Sequence, residues 1–156
     1  MTAMPTVGAP APPLSGATDQ QPFDAADHAG EQIVVYFYPK DMTKGCTLEA
    51  QDFRDQLEAF HAAGAVVVGV SRDPVKRHAK FRDKESLTFP LIADEDGAIT
   101  EAWGVWQEKS MYGRTYMGIV RSTFVIGRDG AISHAWPKVR VKGHVAEVLS
   151  AVQDAD

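Results

Sequence analysis

Ile33-Val34-Val35-Tyr36-Phe37-Tyr38-Pro39-Lys40-Asp41-Met42-Thr43-Lys44-Gly45-Cys46 is the stretch that decides how this chain is read. Its first six residues form a continuous β-branched and aromatic run, the pattern of a central strand covered on both faces. Pro39 ends the strand, since it has no N–H to give a ladder. Lys40, Asp41, Thr43, Lys44 and Gly45 then read as a polar turn and a helix start. Cys46, the only cysteine, is thus placed at a helix N-terminus. Unpaired backbone N–H groups there carry partial positive charge, which favours the thiolate, the reactive form of cysteine. A lone cysteine can equally be a small core hydrophobe, but the polar, electropositive surroundings point to chemistry.

Working outward, Cys46, Ala50, Phe53, Leu57 and Phe60 recur at helical spacing, which predicts an amphipathic helix from Cys46 that ends by Gly64. Ala65 to Val70 reads as a second buried strand. Asp73-Pro74 opens a second helix through about Lys84, with Asp at the cap and Pro in the first turn. Leu91-Ile92-Ala93 is a short strand, and Ile99 to Trp103 a short helix stopped by Gly104. Ser122 to Ile126 and Ala131 to Trp136 flank Gly127-Arg128-Asp129-Gly130, a hairpin signal because Asp-Gly supplies the positive φ of a tight turn. Lys142 to Val152 gives a last helix through Val145, Val148, Leu149 and Val152. Residues 1 to about 13, rich in Pro, Ala and Gly, are expected as an extended or frayed lead-in. Strand–helix units followed by a hairpin make an α/β architecture, a single domain over 1–156 with a central mixed β-sheet flanked by helices, most simply a thioredoxin-like fold.

Composition narrows the function. The chain has 156 residues and a net charge of −5, with 16 basic residues scattered rather than striped, so nucleic acid is not an expected partner. No apolar run approaches the roughly 20 residues of a membrane helix, and Met1-Thr2-Ala3-Met4-Pro5 lacks the pattern of an export signal, so the expected address is cytoplasmic. One cysteine permits no internal disulfide. His28, His61, His78, His134 and His144 lie far apart without zinc-ligand spacing and read as solvated or structural; no metal site is expected. Asp94-Glu95-Asp96-Gly97 lacks the alternation of a calcium loop and reads as a turn. Trp103, Trp106, Met111, Tyr112, Tyr116 and Met117 are either core or a flexible flap or interaction surface near the site.

Pro39-x-x-x-Thr43-x-x-Cys46 resembles the active-site signature of the peroxiredoxins. Further segments, among them Phe53-Arg54-Asp55, Gly69-Val70-Ser71, Gly104-Val105-Trp106, Glu108-Lys109-Ser110 and Arg121-Ser122-Thr123-Phe124, are similar to the bacterioferritin comigratory protein, or peroxiredoxin Q, branch. The resemblance runs from about residue 5 to 150. It implies a thiol-dependent peroxidase in which Cys46 attacks hydrogen peroxide or an alkyl hydroperoxide and becomes sulfenic acid, with no metal, haem or nucleotide cofactor. Pro39 would shield the thiolate, or simply stop the strand. Thr43 would donate its hydroxyl to the incoming peroxide and accept from a backbone N–H, or cap the helix. Arg121 matches the family's active-site arginine, and backbone N–H groups of Gly45 and Cys46 would complete the pocket. Glu49, three residues after Cys46, would oppose the thiolate unless it pairs with Arg121 and positions it; a solvated face is the alternative.

A free thiol of pKa about 8.5 is a few per cent ionised at pH 7, so full ionisation gains at most about 30-fold. The remaining acceleration must come from orientation and from stabilising charge on the leaving oxygen. Many relatives of this branch carry a resolving cysteine five residues after the peroxidatic one; here that position is Gln51. The resemblance therefore implies a 1-Cys peroxidase recycled by an external thiol, either thioredoxin or glutaredoxin with glutathione, in a monomer or weak homodimer. Slow resolution exposes Cys46 to overoxidation. The alternative is a peroxide-sensing redox switch with little turnover.

Overall fold

The computed structural model describes residues 2–155. In chain order its elements are β1 (Ser15–Gly16), β2 (Phe23–Asp24), a 3-10 turn (Ala25–His28), β3 (Gln32–Phe37), α1 (Lys44–Asp55), α2 (Leu57–Ala62), β4 (Ala65–Ser71), α3 (Val75–Glu85), β5 (Leu91–Ala93), α4 (Ala98–Ala102), β6 (Trp106–Met111), β7 (Arg114–Ile119), β8 (Ser122–Ile126), β9 (Ile132–Trp136) and α5 (His144–Asp154). The central sheet runs β5-β4-β3-β8-β9. β3, β4 and β5 are parallel, while β8 is antiparallel to both β3 and β9. The sheet is mixed, flanked by helices and thioredoxin-like, as its sequence pattern implies.

β3 lies at the centre because all six of its residues are buried, and the alternation of its side chains builds two cores. Val34 and Tyr36, with Tyr38 beyond them, face the layer formed by Phe53, Phe60, Phe81, Val145 and Val148. Ile33, Val35 and Phe37 face Trp103, Val105, Ile119 and Phe124. Each fully buried large apolar side chain of this kind contributes about 1.5–3 kcal/mol.

The topology also places the site. Phe37 at the end of β3 stands opposite Ser122 at the start of β8, so the residue that precedes β8, Arg121, emerges at the end of the sheet where β3 hands over to the loop before α1. Two segments separated by some 75 residues of chain thus meet at one end of the sheet.

Several boundaries differ from the sequence reading. The helix expected from Cys46 to Gly64 starts at Lys44 and breaks at Gln56, whose φ of −106° and ψ of 7° leave the helix before α2 resumes the apolar stripe with Leu57. Asp73 is not the cap of α3; Pro74 occupies that position, and the Asp73 carboxylate turns inward to accept from Ser71 Oγ at 2.6 Å and Asp41 N–H at 2.9 Å. α5 begins at His144 rather than Lys142. The lead-in is not frayed: Gly8 N–H donates to Ile132 O, Ile132 N–H to Ala9 O, and Pro10 bridges Ala131, so the N-terminal segment edges β9. Its prolines hid this pairing. Residues 106–119 fold into a β6–β7 hairpin that the expected strands did not include. The Asp94–Gly97 segment is a turn as read, with Asp94 accepting from the Ile99 and Thr100 N–H groups at the start of α4.

Candidate active site

Cys46 is the third residue of α1 and only 1% exposed. The first backbone bond of the helix runs from Thr47 N–H to Thr43 O at 2.9 Å. The N–H groups of Lys44, Gly45 and Cys46 precede it and have no acceptor within the helix. Thr43 stands at the N-cap but makes no side-chain cap bond. Its hydroxyl instead donates to Lys40 O at 2.8 Å, which leaves the oxygen lone pairs free to accept. The orphan N–H groups therefore remain available at the thiol, and they attract negative charge there.

The Arg121 guanidinium spans the site. Its Nη2 donates to Cys46 Sγ at 3.3 Å and its Nη1 to Glu49 Oε1 at 2.7 Å. Fixed geometry of this kind is what the planar fork of arginine provides. Glu49 is fully buried, and its second oxygen has no hydrogen-bond partner. Burial pushes its carboxyl up to about 7 against the pull of Arg121. Burial works against the Arg121 charge, but Glu49 and Cys46 hold it above its ordinary value. Gly45 permits this approach: a Cβ there would lie 3.2 Å from Arg121 Nη2.

The structure brings Cys46, Thr43, Gly45, Glu49 and Arg121 to one end of the sheet. Pro39 follows Tyr38 directly at the same end of the sheet and is half-buried. Gln51 points elsewhere, its amide donating to Glu85 Oε1 at 2.8 Å, which ties α1 to α3. The core reading of the 103–118 stretch holds for only part of it. Trp103 is fully buried beside Phe37 and Phe124, whereas Met111, Tyr112, Tyr116 and Met117 are exposed on the hairpin.

Two basic side chains electrostatically coupled to Arg121 are not among the site residues expected from the sequence. Lys109, on β6, donates to Ile119 O at 3.0 Å; burial and then Arg121 lower its pKa while Cys46 opposes them. His144, at the start of α5, pairs with Thr123 Oγ1 at 2.8 Å and is pushed down to about 4 by burial and by Arg121. Neither lies in a spacing that marks it; only the folded sheet brings them to Arg121.

A desolvated thiol with a fixed cation and a fan of open N–H donors suits attack on a polar, weak bond whose product is an anion. The chain belongs to the AhpC/TSA family, which matches residues 7–135, and is a thiol-dependent peroxidase. Within that class its relatives are peroxiredoxins of the Bcp, or peroxiredoxin Q, type. It is 46% identical over 149 residues to peroxiredoxin Bcp of Bacillus subtilis (strain 168), covering 95% of each chain. A mutant of Xylella fastidiosa PrxQ shares its fold with a TM-score of 0.88 at 37% identity, over 96% of each chain. Xanthomonas campestris bacterioferritin comigratory protein, solved as trapped intermediate and ligand complexes that bear on its alkyl peroxide reduction activity, shares it with a TM-score of 0.84 at 44% identity, over 90% of this chain and 89% of that one.

Proposed function

We propose that the whole chain works as one peroxidase domain in which Cys46 is the peroxidatic residue for hydrogen peroxide and organic hydroperoxides. The observation that carries this reading is the Arg121 bridge between Cys46 Sγ and Glu49. The Cys46 thiolate attacks one peroxide oxygen; an S–O bond forms, the O–O bond breaks, and the leaving oxygen departs with a proton as water or alcohol. Arg121 Nη2 and the Gly45 and Cys46 N–H groups stabilise the charge that shifts across the peroxide. Thr43, its own hydrogen committed to Lys40 O, accepts from the hydroperoxide O–H and orients it. Pro39 supplies a wall with no N–H to draw water toward sulfur. Glu49 holds Arg121 in place.

With glutamine at residue 51 and a single cysteine, the sulfenic acid is reduced from outside. One thiol condenses with it, releasing water and forming a mixed disulfide at Cys46, and a second thiol frees the enzyme. The reductant is thioredoxin or glutaredoxin with glutathione, in the cytoplasm, and the enzyme works as a monomer or weak homodimer. Among the described residues no helix is long and apolar enough to cross a membrane.

The test is intact mass of reduced protein mixed with about one equivalent of hydrogen peroxide, with and without a sulfenate trap, beside Cys46→Ser. Rapid gain of one oxygen or one trap, absent in the serine variant, supports the reading; an unmodified Cys46 refutes it. Sustained NADPH consumption with a thioredoxin system then separates turnover from a sensing role, in which oxidation is fast and recycling is not.

A further inference from the structure

The loop that carries Pro39 to Thr43 is anchored from beneath by groups that the peroxide chemistry does not touch. Asp41 and His78 are wholly buried and Asp73 nearly so. Asp41 Oδ2 lies 2.6 Å from His78 Nδ1, and the Tyr38 hydroxyl donates to Asp41 Oδ1 at 2.5 Å. The Asp41 N–H donates to Asp73 Oδ2, which also accepts from Ser71 Oγ. Arg77, on α3, lies 3.4 Å from Asp73 Oδ1 and 3.4 Å from the Asp41 carbonyl. His78 Nε2 faces Ile92 O at 3.0 Å.

Donor counting fixes one proton. A carbonyl only accepts, so His78 Nε2 carries a hydrogen toward Ile92. A carboxylate also only accepts, so the short Nδ1–Oδ2 contact needs a second hydrogen, on the imidazole or on the acid. Asp41 and His78 therefore share a proton in a bond with no solvent around it. Burial and the Asp41 charge push the Tyr38 hydroxyl well above its ordinary pKa, which keeps it a donor. The ligand atoms of Asp41, Asp73 and His78 lie within 4.8 Å of one another, close enough for a cation, but protein donors already engage them, so the cluster is a clamp.

What the clamp holds is strained. Met42 follows Asp41 directly and has a φ of 64°, a left-handed conformation that costs a non-glycine residue about 1–2 kcal/mol. Thr43 and α1 come next. With Asp41 released, Met42 can return to the ordinary region and turn Thr43 and the first turn of α1 away from Arg121.

We propose that Asp41 and His78 are positioning residues for the reaction at Cys46: their shared proton joins the active-site loop to α3 and β5 and so fixes Thr43 and the thiol against Arg121. The inference rests on the reading of Cys46 as the peroxidatic thiol. Displacement of a reacting group by about 1 Å costs on the order of 100-fold, so at least a tenfold loss is expected on breaking the clamp.

The experiment compares two second-order rates at Cys46, oxidation by hydrogen peroxide and alkylation by iodoacetamide, in wild type, Asp41→Ala, His78→Ala and Asp41→Asn, with the melting temperature of each. Alkylation reports thiolate and access; peroxide oxidation also needs the aligned pocket. In the alanine variants the peroxide rate is expected to fall at least tenfold while alkylation holds or rises. Asp41→Asn should recover most of the peroxide rate, because an amide oxygen accepts from Tyr38 and an amide N–H donates to Nδ1 of neutral His78. Unchanged peroxide rates in folded alanine variants, a parallel fall of both rates, or an asparagine variant no better than alanine would each overturn the inference. Should the alanine variants not fold, Tyr38→Phe removes one donor from Asp41 at almost no change in volume. It should lower the peroxide rate at least threefold with alkylation unaltered, and an unaltered peroxide rate overturns the inference there too. A wild-type peroxide rate no faster than that of a free thiol would bring down the reading of Cys46 itself, and the inference with it.

Discussion

Replacing Glu49 by glutamine should remove a pH dependence built into the site. The carboxyl rises from 4.5 to about 7 because it is buried with one oxygen unpartnered. Below pH 4.5 it is protonated folded and unfolded. Between 4.5 and 7 the folded chain keeps a proton that the unfolded chain gives up, so stability falls as pH rises; above 7 the full penalty has developed. A shift of this size corresponds to about 3 kcal/mol, most of which appears between pH 5 and 8. Glutamine cannot titrate, yet its oxygen can still accept from Arg121. Urea unfolding of wild type and Glu49→Gln at pH 5, 6, 7 and 8 isolates the effect, since in the difference most other titrations cancel, including that of His144, whose slope has the opposite sign. With a slope of about 1.5–2 kcal/mol per molar urea, the wild-type midpoint should drop relative to the variant by more than about 1 M over that range. A difference that stays flat with pH would show that Arg121 holds Glu49 ionised throughout, and would refute the reasoning.

Arg121→Lys should lower the rate of Cys46 oxidation by peroxide about 10- to 100-fold with little change in melting temperature, because a single ammonium cannot meet Sγ at 3.3 Å and Oε1 at 2.7 Å at once; stopped-flow fluorescence measures it. Glu49→Ala should cost about tenfold or more by the same assay, since it frees Arg121 to move, and unchanged kinetics would show that Glu49 does not position it. Gly45→Ala sets a methyl 3.2 Å from Arg121 Nη2 and should reduce the peroxide rate severalfold in a protein with a normal circular dichroism spectrum. Gln51→Cys places a second thiol five residues along α1, about 8–9 Å away between Cα atoms in an intact helix, beyond the reach of a disulfide. Peroxide should therefore yield an internal disulfide, two mass units lighter than the dithiol, only together with a loss of helical signal.

The sheet could be read from the sequence because its strands are buried runs whose spacing is local: Val34-Val35-Tyr36-Phe37 and Val66-Val67-Val68 carry their own signature. Thr43, Gly45 and Cys46 were legible for the same reason, as consecutive features of one strand-to-helix turn. Arg121 was placed by resemblance; its spacing says nothing, and only the opposition of Phe37 and Ser122 explains why it meets Cys46. The break at Gln56 was hidden because the apolar stripe continues through Leu57 and Phe60. Asp73 misled because an Asp before a Pro and a helix is ordinarily a cap, whereas here a loop from the far side of β3 offered its carboxylate buried donors. The Asp41–His78 contact joins residues 37 apart and leaves no periodic trace.

Burial of Cys46 has a consequence for the second half of the cycle. At 1% exposure the sulfur can be met by a molecule of two oxygen atoms but not by the thiol of another protein, which must come to about 2 Å of sulfur with its own Cβ in line. The pocket that suits peroxide thus excludes a protein reductant as long as α1 keeps its first turn. That turn has little of its own to hold it: the Lys44, Gly45 and Cys46 N–H groups lack acceptors within the helix, the N-cap side chain gives none, and Met42 before it sits at a φ of 64°. Oxidation would add an oxygen to a buried sulfur that lies 3.3 Å from Arg121 Nη2. On the proposed reading of Cys46, opening of the first turn would then make the sulfur available to an external protein thiol. Reduction by thioredoxin should accordingly be slower than oxidation and should speed up in variants that loosen the loop, the opposite of their effect on the peroxide step. Single-turnover reduction of the sulfenic form of His78→Ala and wild type measures this, and equal rates would disconnect the loop from the reductive half of the cycle.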